Sequence, residues 1–389
     1  MNGHDELLAL LLLLGASVVG PPLAVRMRVP AAVVLILFGM ALGPLGLGAL
    51  HDTQMVAFVS ELGFLLLMFM AGMEIDFEAI RAAGRPALIV PTLVVLGIFA
   101  CAAGAGIALG IGGIGILVLS AMSVGMPLAV LKETDRASTN MGRHVMLAAS
   151  IGELVCILAI TGLEVVSAQG SRVEMLVKVG KVVLLLVGSA LLIRWARAFV
   201  WWYPRVFRRL IEHHDVAELG VRVGLVVMLG FVVLAALAGV EPILGAFIGG
   251  SLVGFVLRQK HALEAKIAAL GNGLFIPIFF IVVGLRFEAS ALDGAAVRSA
   301  LMLALFAGLS KILPSLAVAR RGTSLRDRFL AGCLLSAPLT LVVAIGSIGR
   351  KLELVGAREQ ASIVLVAMVV SIVFPIVFRL LARGPLPAS

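Results

Sequence analysis

A single tyrosine, three cysteines and six histidines in 389 residues remove several classes of protein at once. One tyrosine and three tryptophans are too few for the two aromatic girdles of an outer-membrane β-barrel. Cys101, Cys156 and Cys333 lie far apart, each inside an apolar run, and offer neither a disulfide framework nor a metal motif. Charge is scarce as well: Asp, Glu, Lys and Arg make up 14% of the chain, against roughly 25% in soluble globular domains. No nucleophile stands beside a base in a recognisable motif, which leaves a membrane-embedded enzyme without residues to run it. GIGGIG, Gly110 to Gly115, satisfies the G-x-G-x-x-G pattern, yet it sits in a short loop between apolar helices with no βαβ unit around it. That turn binds no nucleotide.

What the chain has in abundance is apolar surface and glycine. Hydrophobic residues make up 61%, the mean hydropathy is +1.15, and there are 43 glycines. Such a composition predicts an all-α polytopic membrane protein whose helices pack closely through small residues. A bilayer core about 30 Å thick needs roughly 20 helical residues. Thirteen spans are expected on that basis: 5–25, 30–50, 55–75, 86–109, 113–131, 143–168, 174–194, 216–239, 241–257, 268–285, 298–319, 326–347 and 359–380. The first has acidic residues before it and no small-residue cleavage site after it, so it reads as a helix of the protein and not as a signal peptide.

Basic residues give the orientation. With the N terminus outside, 22 of the 31 lysines and arginines fall on inner loops and inner helix ends, and 8 fall outside. The remaining one, Lys311, is inside a span. The net charge of +9 is therefore topological, since no single basic stretch is offered to a nucleic acid. Residues 194–215, RWARAFVWWYPRVFRRLIEHHD, interleave basic and aromatic residues as an interfacial linker does. They divide the chain near its middle.

Internal repetition supplies a second level of organisation. Phe64 to Asp76 aligns with Ile276 to Glu288 at a shift of 212, and Gly125 to Leu131 aligns with Ser336 to Val342 at 211, setting Pro127 over Pro338. Two segments agree on nearly one shift. The expected repeats are residues 30–168 and 241–380, and because equivalent helices are offset by seven spans, an odd number, one repeat is inverted relative to the other.

Proline inside a span frees a carbonyl, which is tolerated where the helix lines a cavity or is buried in protein. Pro127 and Pro338 therefore predict two broken helices, and the ends of broken helices present carbonyls to cations and amides to anions. Depth then singles out two charges. Glu153 lies ten residues from Arg143 and Lys311 nine from Arg320, which places each roughly 14 to 15 Å deep, near the midplane. A charge there costs on the order of 3 kcal/mol by insertion scales. A structural salt bridge between the two is one reading; an ion or proton path is the other, and it is the commoner use of intramembrane ionisable groups. Glu61, Glu74, Asp76, Lys178, Lys181 and Glu241 lie toward helix ends, where solvation or snorkelling accounts for them.

PAAVVLILFGMALGPLGLG on the second expected helix, GFLLLMFMAGMEID on the third and SAMSVGMPLAVLKE on the fifth resemble the cation:proton antiporter family, the sodium/hydrogen exchanger type of membrane domain. EPILGAFIGG, LFIPIFFIVVGLRFE and GLSKILPSLAVARRGTSLRDR continue the likeness along nearly the whole chain. The resemblance implies a single membrane domain over 1–389, a homodimer in the bacterial inner membrane with the C terminus cytoplasmic, and exchange of Na+ or K+ for H+ without a cofactor, nucleotide or nucleic acid. It puts Glu153 on the ion-binding carboxylate and Lys311 on the basic residue near it. Ser123, Val124, Gly125 and Met126, followed by Pro127, fall on the first break, and Ser336, Ala337 and Pro338 on the second. Ser123 and Ser150 are the hydroxyls expected to help hold the monovalent cation.

One departure from the family pattern matters. Members that move net charge carry two adjacent aspartates on the sixth helix, and others carry Asn or Gln before one aspartate; here Gly152 precedes Glu153. A single carboxylate predicts one proton per cation and leaves Glu153 as the expected partner of Lys311. The alternative is an organic ion on the same fold. No C-terminal regulatory domain is expected after the last helix.

Overall fold

The computed structural model describes residues 3–75, 77–167, 218–256, 260–287, 294–318 and 323–382, together with scattered positions between 177 and 195. Among them every regular element is helical. Ten helices are long and apolar enough to cross a membrane, and Ala31–Leu42 and Pro242–Val256 are shorter apolar helices. These twelve fall on twelve of the expected spans. The other, 174–194, falls on the scattered positions, and the linker beyond residue 195 lies outside the described residues.

Two compact units form, each drawn from both halves of the sequence. Unit 1, residues 1–76 and 164–287, holds α1 (Gly3–Met27), α2 (Ala31–Leu42), α3 (Gln54–Glu74), α8 (Leu219–Ala238), α9 (Pro242–Val256), α10 (Lys260–Leu270) and α11 (Ile276–Leu285). The five residues Gly271–Phe275 form a π-helical turn that joins α10 to α11. Close helix crossings hold unit 1 together, among them α2 on α11 and α3 on α9. A Cβ added to Gly39 would lie 1.9 Å from the Ile281 carbonyl oxygen, and one on Gly284 would lie 2.0 Å from that of Ile36, so α2 and α11 meet backbone to backbone. Likewise a Cβ on Gly72 would lie 2.2 Å from the Phe247 oxygen and one on Gly250 would lie 1.9 Å from the Phe69 oxygen, where α3 meets α9. Only glycine allows that approach.

The second expected span is shorter than its apolar run. α2 stops at Leu42, and residues 43–50 turn back on it: Leu47 N–H donates to Ala41 O at 2.8 Å and Leu50 N–H to Leu42 O at 2.9 Å. Gly48, at φ 62°, makes that reversal possible without a Cβ penalty.

Unit 2, residues 77–163 and 288–389, holds α4 (Phe77–Leu109), α5 (Gly113–Ser120), α6 (Gly125–Glu133), α7 (Asn140–Ser167, to Leu163), α12 (Gly294–Ala317), α13 (Leu325–Leu335), α14 (Leu339–Lys351) and α15 (Ala357–Leu381). Here two spans are interrupted. α5 and α6 are separated by Ala121–Val124, and α13 and α14 by Ser336–Pro338. α5 packs on α14 and α6 on α13, so the halves of the two broken helices pair crosswise. Met122 and Val124 from the first break join Val95, Ile98, Val145, Ala149 and Leu334 in one buried cluster.

The first break comes two residues earlier than its sequence suggests. Gly125, Met126 and Pro127 are the opening turn of α6, not unwound chain. A helix's first N–H groups have no intrahelical acceptor, so Pro127 costs nothing there. Pro338 does sit at its break, as the residue before α14.

Candidate functional site

Glu153 is 1% exposed in the middle of α7, and its contacts come from the first break. Val124 N–H donates to Oε2 at 3.0 Å, and Ser123 Oγ donates to Oε1 at 3.5 Å. Val124 immediately precedes α6, so the carboxylate caps a helix N terminus, where unsatisfied amides and the helix dipole both favour negative charge. Ser123 Oγ is in turn 3.5 Å from Thr340 Oγ1 on α14, which brings a hydroxyl from the second broken helix into the same site.

The other lip of the break carries the opposite charge. α5 ends at Ser120, leaving carbonyls that point past its last turn. Lys311 Nζ, fully buried on α12, donates to Leu119 O at 2.5 Å, and Ser310 Oγ donates to the same oxygen at 2.7 Å. Cys156 Sγ, one turn after Gly152 on α7, lies 3.6 Å from Ser120 O. Four residues of unwound chain thus separate a carbonyl end held by an ammonium from an amide end held by a carboxylate. Each charge lies where the half-helix dipoles stabilise it.

Both members of the expected Glu153–Lys311 pair meet the backbone of one break: Lys311 donates to the Leu119 carbonyl and Glu153 accepts from the Val124 amide.

Of the other expected residues, Ser123 reaches the carboxylate, and Ser150 is buried one turn before Glu153 on α7. Ser336, also buried, donates its hydroxyl to Gly332 O at 2.7 Å and so closes the last turn of α13. Ala337 and Pro338 supply unwound backbone next to it. Thr340 and Ser310 belong to the constellation and were not expected from the sequence. Thr340 had a signal, a hydroxyl two positions past a break-forming proline; Ser310, beside Lys311, had none beyond adjacency. Glu241, expected to snorkel outward, is instead 8% exposed in unit 1, with its N–H donating to Glu164 Oε2 at 3.1 Å.

Two broken helices paired crosswise around a buried acid are a fold with relatives. The sodium/hydrogen exchanger transmembrane profile matches residues 10–384. The chain belongs to the sodium/hydrogen exchanger family. Members of the family are transporters and not enzymes, and with its apolar helices this exchanger-family chain is an integral membrane protein. It is similar to a Na+/H+ antiporter of Enterococcus hirae, 26% identical over 381 residues covering 95% of this chain and 96% of that one. The Na+/H+-K+ antiporter GerN of Bacillus cereus is 27% identical over 308 residues, 78% of this chain and 76% of GerN. YjbQ of Bacillus subtilis is 26% identical over 98% of this chain, which spans 64% of that relative's length. The solved structure of the sodium proton antiporter MjNhaP1 from Methanocaldococcus jannaschii shares the fold, with a TM-score of 0.64 at 14% identity over 97% of this chain and 99% of the other.

Proposed function

We propose that the chain exchanges a monovalent cation, Na+ or K+, for H+ by alternating access, one for one. The observation that carries this is Glu153: a carboxylate 1% exposed, ringed by the Ser123 hydroxyl, the Val124 amide and, through Ser123, the Thr340 hydroxyl. Such a carboxylate holds a proton or helps hold a cation, and not both at once. Competition for one oxygen pair couples two opposite fluxes with no covalent chemistry. The cation is met by Glu153, by hydroxyls such as Ser123, Thr340 and Ser150, and by unwound carbonyls of the break. Lys311 stays on the carbonyl lip as the fixed countercharge. The names of the Enterococcus hirae and Bacillus cereus relatives, Na+/H+ and Na+/H+-K+ antiporters, support both cations as candidates.

The architecture proposed around this site is two inverted repeats, 30–168 and 241–380, in a homodimer in the inner membrane with the N terminus outside. Support for the repeats comes from the glycine crossings. The shift of 211 carries Gly39 to Gly250, and 212 carries Gly72 to Gly284, so the α2–α11 crossing maps onto the α9–α3 crossing.

The test is a liposome assay: purified protein, a pH dye inside, and Na+, K+ or an organic ion added outside with the potential clamped. Dye quenching or recovery that saturates with Na+ or K+ is expected. A signal with organic ions and neither cation overturns the proposal.

A further inference from the structure

Position 152 is glycine for a reason that lies in the first break. A Cβ added to Gly152 would come 2.3 Å from Met122 Cε, 2.8 Å from Sδ and 3.3 Å from Cβ, so Met122 and any side chain at 152 compete for one volume. Met122 has nowhere free to go: it is 0% exposed, inside the cluster that includes Ile98, Val124, Ala148 and Ala149. Gly152 and Cys156 share a face of α7, and Cys156 lies 3.6 Å from Ser120 O at the start of the same break, which fixes that face against it. Beside Gly152, Glu153 takes its amide donor from Val124, two residues after Met122. The Met122 thioether therefore occupies the volume that a side chain at position 152, the residue before Glu153, would fill.

We infer that Met122 is a specificity-determining residue of the Glu153 site: its apolar side chain fills the volume of a side chain at position 152, confines the site to one carboxylate and sets the room left for the monovalent cation. A thioether of this kind gives a hard cation no charge and little hydrogen-bonding capacity to replace its water. The inference rests on Glu153 as the ion site. Its steric half, the competition between residues 122 and 152, is readable without any transport.

The experiment takes the full chain through Gly152→Ala, Met122→Ala, the double variant and Met122→Leu. By thermal melting in detergent, Gly152→Ala lowers the melting temperature in the wild-type background and leaves it unchanged or higher in the Met122→Ala background. Equal effects in both backgrounds overturn the competition. In liposomes, Met122→Ala shifts the ratio of apparent KM values for Na+ and K+ several-fold, whereas Met122→Leu, which refills the volume, keeps the wild-type ratio. An unchanged ratio in Met122→Ala, or an equal shift in Met122→Leu, overturns the assignment. Met122→Val gives the same readout where the alanine variant is not recovered folded. If the wild type moves no protons with either cation, the exchange proposal fails while the melting result still decides whether Met122 fills position 152.

Discussion

At the scale of single residues, the site rests on two buried charges with very different replaceability. Glu153 is the carboxylate that Ser123 and Val124 of the break contact, so Glu153→Gln is expected to abolish cation-dependent proton movement while the protein still folds, since the amide oxygen continues to accept from Val124. Exchange at the wild-type rate in liposomes would remove Glu153 from the mechanism. Lys311 behaves differently, because Ser310 donates to the same Leu119 oxygen. Removing one member of a buried charge couple leaves the other uncompensated, whereas replacing both by uncharged groups of similar size is often neutral for stability. Lys311→Met is therefore expected to melt below the wild type and Lys311→Met with Glu153→Gln to recover most of that loss, whereas Ser310→Ala added to Lys311→Met leaves the Leu119 carbonyl without either donor and costs about 1–3 kcal/mol more. Comparative melting in detergent checks both. Glu153 and Lys311 stood out in the sequence because depth could be counted from flanking arginines, and Ser123 because the family resemblance implied it. The Leu119 carbonyl was not, because a backbone acceptor has no sequence signature until the helix end that exposes it is located.

At the scale of elements, the sequence showed that two helices break but misplaced one of them. Proline marks a break only where it cannot be absorbed, and the opening turn of α6 absorbs Pro127, while Pro338 stands before α14. The unwound AMSV of the first break contains no helix breaker, so its position is set by what grips its ends: Lys311 and Ser310 on one side and Glu153 on the other. Glycine carries the opposite lesson. The 43 glycines are indistinguishable in the sequence, yet their costs differ by helix crossing. A Cβ at Gly250 meets the Phe69 carbonyl at 1.9 Å, and one at Gly104, exposed on α4, meets nothing within 4 Å. Gly250→Ala forces α3 and α9 apart and is expected to destabilise by at least about 1–3 kcal/mol. Gly104→Ala is expected to be neutral or to gain up to about 1 kcal/mol from helix propensity. Melting temperatures of the two variants, compared side by side, should move in opposite directions or differ by several degrees; equal shifts would mean the crossing is looser than its geometry.

At the scale of the whole molecule, what was most legible was what depends on averages: the apolar composition and the twelve described spans. What was least legible was the division into units, because each unit is assembled from segments about 200 residues apart, and which faces meet is decided by small-residue crossings rather than by hydropathy. The property of the whole that follows most directly from the site is its charge balance. On the proposed exchange of one proton for one monovalent cation, the carboxylate carries the same charge in both loaded states, and the turnover is expected to move none across the membrane. At equal pH and equal cation concentration on both sides, an imposed potential should then drive no proton flux through the wild type, although a cation gradient should. Each elementary charge moved through the field would be worth about 2.3 kcal/mol per 100 mV, a drive too large to miss in the same vesicles. Potential-driven acidification in the wild type would require a second ionisable ligand and would exclude the one-for-one exchange. The converse variant completes the argument: in Met122→Ala with Gly152→Asp, the vacated thioether volume takes a second carboxylate, and the exchanger is expected to become responsive to potential. Gly152→Asp alone, with Met122 still in place, is expected to lose transport instead.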